Sequence, residues 1–253
     1  IIGKGANLLV DDIGVDGAVV LLDHECFKSL RFNREGTIDA LHVMSGADLS
    51  KTIMETARCG FEGLHTMAGI PASIGGAIRM NAGGAYGSIS DTLSTLTCLT
   101  KAGELVTYRA ADIEFGYRES KIPDPIIVSA TFNLTPSDPI EVRNNIKEIF
   151  AWKKSRQPLS DTSAGCAFKN PLGEDGSRIS AGQLIDEAGL KGFSIGGATV
   201  SSQHANFITT SANATSRDVL AVMNEIQQRI CETTGIDLQR EVVVWSRDPE
   251  TCR

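Results

Sequence analysis

The sequence has no apolar run approaching the roughly 18 residues that a bilayer-spanning helix needs, so a membrane-spanning role is not expected. It has no excess of positive charge: 24 Lys and Arg stand against 31 Asp and Glu, a formal charge of −7. A nucleic-acid footprint is therefore not expected, and any bound anion must be held by local donors. Six cysteines, at 26, 59, 98, 166, 231 and 252, include no C-x-x-C pair, and no Cys/His spacing resembles a zinc site. No metal is expected. Scattered thiols suit a reducing cytoplasm. There is no internal repeat and no low-complexity segment.

What is present is glycine, 25 residues of it, much of it clustered. Clustered glycine brings backbone close to a ligand or makes tight turns. The chain of 253 residues is long enough for one large domain or two small ones. It opens on "IIGKGANLLV", a strand running into a turn, which suggests that residues precede Ile1 in the natural protein.

The first half is rich in short strand candidates at 17–22, 37–44, 94–100, 104–109 and 125–134, with β-branched residues between Gly, Asp and Pro. A helix is expected at 48–60, capped by Asp48, and another at 139–154 with Val142, Ile146, Ile149 and Phe150 on one face. Further on, 180–192 reads as a short helix. Residues 215–235 read as a long one, opened by Thr215 with Asp218 and stopped by Gly235. A final strand is expected at 238–245. The pattern predicts an α+β protein in two parts, 1–157 and 158–253, with the last strand, about 238–246, a candidate to return to the first part.

Two glycine loops stand out. "GKGANLL", 3–9, could turn backbone N–H groups toward a phosphate, or could be a tight hairpin turn. It is neither a dinucleotide fingerprint nor a Walker loop, since no third glycine with a helix follows and no Gly-Lys-Ser/Thr ends it. "GIPASIGGAIRMNAGGAYG", 69–87, is dense in glycine and alanine around Pro71, Asn81 and Tyr86. Such a stretch could let a flat ring or a pyrophosphate lie on the backbone. A flexible linker is the other reading, but linkers favour Ser and Lys over Ile, Met and Tyr.

"SAGCAFKNP", 163–171, places a thiol, an ammonium and a primary amide close together after small residues. A lone cysteine is usually a small buried hydrophobe. With the two glycine loops, "FGYRES", this stretch, "AGQLIDEAGLKG", "GGATVSSQHANFI" and "LQREVVVW", in this order, the sequence resembles the UDP-N-acetylenolpyruvoylglucosamine reductase (MurB) family of bacterial peptidoglycan synthesis. The resemblance runs from Ile1 to about Trp245.

That resemblance implies an FAD-binding domain of the vanillyl-alcohol-oxidase/PCMH type plus a smaller α+β substrate-binding domain. It implies a cytoplasmic, monomeric enzyme that uses FAD and NADPH to reduce UDP-N-acetylglucosamine enolpyruvate. The short connection from Arg118 to Cys166 resembles the family's type II form. The family has a further βαβ unit ahead of this start. The chain departs from the family pattern at Ala6, where serine is usual, at Ala72 and Ser73, where Gly-Thr is usual, and at Cys166, where serine is usual.

By the resemblance, the flavin contacts fall at Gly3, Lys4, Gly5, Ala6, Asn7 and Leu8, at Gly69, Ile70, Pro71, Ser73, Gly75, Gly76 and Asn81, and at Tyr117. The catalytic positions are Cys166, Arg118 and Glu241. Arg118 could clamp a carboxylate, Glu241 would help stabilise an enol, and Cys166 would give a proton to carbon. A thiol, with a pKa of about 8.5, is a far stronger acid than a serine hydroxyl. Arg156, Lys169, Asn170, Lys191 and His204 would hold the nucleotide sugar. Taken singly, Arg118 reads as a surface arginine and Glu241 as a strand-end acid, while His204 and Tyr117 read equally as structural groups or as site residues. Two rivals remain: an FAD oxidoreductase acting on a hydroxy acid, which has no reason to share the Cys166, Asn170, Lys191 set, and a nucleotide-binding relative without catalysis.

Overall fold

The computed structural model describes residues 1–33 and 39–248. Its principal strands are β1 (Leu8–Val10), β2 (Leu30–Asn33), β3 (Asp39–Met44), β4 (Leu93–Leu99), β5 (Leu105–Arg109), β6 (Ile126–Pro136), β7 (Ser163–Cys166), β8 (Ser194–Ile195), β9 (Ala198–Val200), β10 (Phe207–Thr210) and β11 (Val243–Trp245). The α-helices are α1 (Leu49–Arg58), α2 (Ile74–Arg79), α3 (Pro139–Arg156), α4 (Ala181–Glu187) and α5 (Ser216–Thr234).

Two compact units emerge. The first comprises Ile1–Lys4 and Val19–Lys153; the second comprises Gly5–Ala18 and the chain from Lys154 onward. They differ from a single cut at 157/158 mainly at segment 5–18, which groups with the second unit. The reason is backbone pairing: β1 runs parallel to β11, Leu8 opposite Val243 and Val10 opposite Trp245.

In the first unit β2, β3, β6, β4 and β5 form an antiparallel sheet in that order. One face is apolar because alternate residues point the same way. Leu41 and Val43 of β3, Leu96 and Cys98 of β4, and Ala130 and Phe132 of β6 are buried. Leu49 and Ile53 of α1, four residues apart, join the same core, as do Ile74 and Ile78 of α2, and Ala57 one turn further along α1 is buried as well. Asp48 caps α1 by accepting from the Lys51 N–H at 2.8 Å.

The glycine-rich stretch 69–87 is not all loop. Ser73 accepts from the Gly76 N–H at 3.2 Å and starts α2, whose Ile74, Ala77 and Ile78 are buried. Two glycines in six residues disfavour a helix, and burial of the isoleucines overrides that preference. In the other direction, 17–22 is not a strand. It makes one isolated bridge, Ile2 to Leu21, and leaves Val19, Val20 and Leu21 exposed. A β-rich run needs a continuous ladder with a neighbouring backbone to become a strand, and here the pairing is limited to Ile2, whose N–H donates to the Val20 carbonyl at 2.9 Å.

In the second unit β7, β10, β9 and β8 form an antiparallel sheet in that order. Its core gathers Phe168, Ile185, Val200, Ile208 and the buried side of α5, Val222, Met223, Ile226 and Ile230. Helix α5 opens with the reciprocal Thr215 and Asp218 capping bonds and closes on Gly235 at φ 72°. Helix α4 stops at Glu187, just ahead of Gly189, the residue expected to end it. The last strand shrinks from 238–245 to Val243–Trp245, because residues 239–241 pair instead with the segment after Cys166.

Candidate active site

A cavity of about 810 Å³ opens in the first unit, lined among others by Gly3, Lys4, Ser45, Ser73, Gly75 and Gly76. Its two glycine-bearing walls approach closely. A Cβ on Gly3 would stand 2.4 Å from Ser73 Oγ, and one on Gly75 would stand 2.9 Å from Ser45 Cβ. Only residues without side chains permit that approach. Lys4 pairs with Asp48 at the cavity wall. Lys28, Lys51 and Arg79 also line it, together with Asp23, Glu25 and Asp48, and Lys28 pairs with Asp23 at 2.7 Å. Five of the expected flavin contacts, Gly3, Lys4, Ser73, Gly75 and Gly76, thus share one cavity.

Asn81, Tyr117 and Arg118 gather at a second place in this unit. Asn81 Nδ2 donates to the Gly116 carbonyl at 2.8 Å. The Arg118 guanidinium lies over the Tyr117 ring, 5.0 Å from its centroid. Asn81 and Arg118, with φ of 41° and 59°, are the non-glycine residues in the left-handed region among the described residues. Such strain concentrates at functional sites. Ile70 packs against the core. Gly69, at φ 81°, leaves room for the stem of Lys153, a residue the sequence reasoning passed over. Lys153 is a buried ammonium whose Nζ donates to the Ala68 carbonyl at 2.5 Å. Its signal was a lysine in phase with Val142, Ile146 and Ile149 on the buried face of α3.

The second unit brings three motifs together. The Glu241 N–H donates to the Ala167 carbonyl at 2.8 Å, which sets Glu241 beside the residue that follows Cys166. The Lys169 N–H donates to Gln239 at 2.8 Å, extending that pairing. Asn7 Nδ2 donates to the Glu241 carbonyl at 3.0 Å, and the Val243 N–H returns to the Asn7 carbonyl at 3.1 Å. Ala6 approaches Gly165 through its carbonyl, and Leu8 begins β1. The amide of Asn7 is therefore engaged with protein, and Gly5 and Ala6 lie with Asn7 in the second unit rather than with Gly3 and Lys4.

Asn206 is the second residue the sequence reasoning missed. It is 3% exposed. Its Oδ1 accepts from the Phe168 N–H at 2.9 Å, its Nδ2 donates to the Phe168 carbonyl at 2.8 Å, and its own carbonyl accepts from the Ala167 N–H at 2.7 Å. A side-chain amide here copies a strand's ladder and holds the chain straight after Cys166. Its signal was its place in "QHANF", two residues after His204.

The family model for the C-terminal domain of UDP-N-acetylenolpyruvoylglucosamine reductase matches residues 157–245. An FAD binding domain model matches residues 1–109. The UDP-N-acetylenolpyruvoylglucosamine reductase of Chlamydia felis is 40% identical over 245 residues, which is 96% of this chain and 78% of that protein. The protein of the same name from Protochlamydia amoebophila is 41% identical over 96% of this chain and 77% of its own length. This chain belongs to the UDP-N-acetylenolpyruvoylglucosamine reductase family. The crystal structure of the Thermus caldophilus reductase superposes with a TM-score of 0.82 at 35% identity, covering 97% of this chain and 84% of that one. The fold is therefore α+β, with an FAD-binding domain and a smaller α+β domain.

For a reductase of this family the first-unit cavity fits FAD. Its volume lies within the range of small-molecule sites, Gly3 and Gly75 let backbone segments of its wall approach more closely than a side chain would allow, and Lys51 and Arg79 line it beside the ion-paired Lys4 and Lys28. The remaining expected residues are distributed as follows. Asn170 Oδ1 accepts from the Ala181 N–H at 3.0 Å, at the first turn of α4. Lys191 pairs with Asp186 at 2.5 Å. His204 is held below the ordinary histidine range by burial, with the Lys191 charge a lesser cause, so its ring is neutral near pH 7. Its Nδ1 accepts from the Asn206 N–H at 3.2 Å, which leaves the proton on Nε2. Arg156 is exposed at the end of α3. Among the described residues no group of three or more His, Cys, Asp or Glu could hold a metal ion. No helix among them is long and apolar enough to cross a membrane.

Proposed function

We infer that this protein is an FAD-dependent oxidoreductase that uses NADPH to reduce UDP-N-acetylglucosamine enolpyruvate to UDP-N-acetylmuramate, a peptidoglycan precursor. The observation that carries this reading is family membership across 96% of the chain at 40% identity. The chain acts as a cytoplasmic monomer of a bacterium on these two small molecules, without nucleic acid or membrane. Functionally, residues 1–157 serve the cofactor and 158–253 the substrate; the C-terminal family model, which starts at 157, supports that division.

FAD, when bound, would supply hydride-transfer chemistry between NADPH and the enolpyruvyl group. Gly3, Lys4, Gly5, Ala6, Asn7, Leu8, Gly69, Ile70, Pro71, Ser73, Gly75, Gly76, Asn81 and Tyr117 are the residues that would hold it. Arg118 grips the enolpyruvyl carboxylate with its planar fork. Hydride on the terminal carbon pushes negative charge toward that carboxylate, where a guanidinium lowers the barrier. Glu241 helps stabilise the enol. Cys166 then gives its thiol proton to the neighbouring carbon, completing the lactyl ether. Arg156, Lys169, Asn170, Lys191 and His204 hold the UDP-sugar. The backbone bond between Glu241 and Ala167 supports placing Glu241 and Cys166 in one catalytic set.

The test is direct. The purified protein should show flavin absorbance and should oxidise NADPH at a rate that depends on the enolpyruvyl substrate. Flavin-free protein, or NADPH oxidation indifferent to that substrate, would overturn the reading.

A further inference from the structure

Lys153 is a charge that the first unit encloses without an opposite charge among the described residues. It lies in the last turn of α3 and is 8% exposed. An ammonium has three donors, and the Ala68 carbonyl takes one. No carboxylate among the described residues pairs with it; the neighbouring charge is a second cation, Arg118. Burial, with Arg118 as the lesser cause, brings the lysine down to about 8, which leaves it mostly protonated at neutral pH. The α3 C-terminus offsets only part of the cost of burying it. A methionine would fill the same space beside Gly69, where a Cβ would lie 3.1 Å from the Lys153 Cδ, at no electrostatic cost.

The position matters more than the cost. Ala68 and Gly69 open the stretch that leads to Ser73, Gly75 and Gly76. Lys153 therefore stands against Ala68 and Gly69, at the start of the stretch proposed to hold the flavin. When hydride reaches an oxidised flavin, two electrons and one proton arrive and the ring becomes one charge more negative, while NADPH leaves as NADP⁺. We propose that Lys153, with Arg118, is the cation that compensates this charge, so that the flavin loop carries its own electrostatic support for the reduced cofactor. The inference rests on the assignment of FAD to this chain. It makes Lys153 a tuning residue rather than a proton donor or a substrate ligand, and it accounts for a buried ammonium where an apolar side chain would be more stable.

The experiment uses the full chain loaded with FAD and compares Lys153→Gln, Lys153→Met and Lys153→Arg. Glutamine keeps a donor for the Ala68 carbonyl and removes the charge. In the Gln and Met variants the ratio of reduced to oxidised bound flavin at a fixed potential should fall about tenfold, equivalent to a midpoint about 30 mV lower. Sulfite, which adds to oxidised flavin as an anion, should bind about tenfold more weakly, by the same charge argument. Arginine should hold both values near wild type. Where FAD binding weakens, the same shift is read as the ratio of affinities for reduced and oxidised FAD. The flavin-free Met protein should melt at or above the wild-type temperature. Unchanged potentials in the Gln and Met variants would overturn the proposal and leave Lys153 as a cap on Ala68. Unchanged potentials with a raised KM for the enolpyruvyl substrate would also overturn it, by moving the cation to the carboxylate. A wild-type protein that binds no FAD would sink the functional reading itself, which these outcomes do not.

Discussion

Asn81 reaches across to the Gly116 carbonyl through its side-chain amide, at 2.8 Å, and so ties the glycine-rich stretch to the turn that carries Tyr117 and Arg118. Both ends of the tie hold a non-glycine residue at positive φ, 41° at Asn81 and 59° at Arg118. Asparagine tolerates that backbone better than most residues. Asn81→Ala should cost about 1–3 kcal/mol, by leaving the Gly116 carbonyl without its donor and by adding backbone strain. Asn81→Gly should recover the strain but not the bond. Urea midpoints of the three proteins test this, and an Ala variant as stable as wild type would refute the tie.

Lys153 makes stability depend on pH in a definite direction. Its pKa falls from 10.5 to about 8 on folding. Below pH 8 both states hold the proton, and the whole cost of burying it is present. Between pH 8 and 10.5 the unfolded chain holds more protons, so stability rises with pH; above that range neither state holds the proton. The rise from this residue is on the order of 3 kcal/mol. The difference between wild type and Lys153→Met, followed by denaturant unfolding from pH 7 to 10.5, should shrink along that path. A flat difference would mean that the ammonium is not desolvated.

The Asn206 clamp predicts a large effect from a small change. Asn206→Ala removes the side-chain partner of both the Phe168 N–H and its carbonyl, in a site where Phe168 is fully buried. The expected loss is about 2–4 kcal/mol, because buried backbone groups are left unmatched. Turnover should fall as well, since the segment that follows Cys166 loses its template. A denaturation midpoint within experimental scatter of wild type would contradict the clamp.

Cys166 is tested by its own replacements. Cys166→Ser should remain active, because serine is the usual residue at this place in the family. Cys166→Ala should slow flavin reoxidation by the enolpyruvyl substrate about 100-fold, the scale of a lost general acid. Flavin reduction by NADPH should not change. Anaerobic stopped-flow absorbance separates the two halves, and normal reoxidation in the Ala variant would remove the thiol from the proton-donor role.

Much of the secondary structure was legible because its signals are local. The Thr215 and Asp218 capping pair, the apolar spacing to Ile230 and Gly235 mark α5 within about an α-turn at each end. β6 and β4 lie where β-branched runs placed them. The misses share one cause. Helix α2 forms among glycines because Ile74 and Ile78 find a core, and 17–22 fails as a strand because its pairing goes no further than a single bridge to Ile2. Both outcomes depend on partners far along the chain, which a local window cannot see.

The same division runs through the site. By itself the sequence determined the family, through seven motifs in order, and the chemical types that a flavin reductase of that family needs. Tertiary structure alone decided which of those groups meet: Glu241 beside Ala167, Asn7 on Glu241, Asn206 along Phe168, and an unmatched ammonium under Gly69. Hydrogen bonds and burial act over a few ångströms in space, and residues as far apart as Asn7 and Glu241 are brought within that range only by the folded chain.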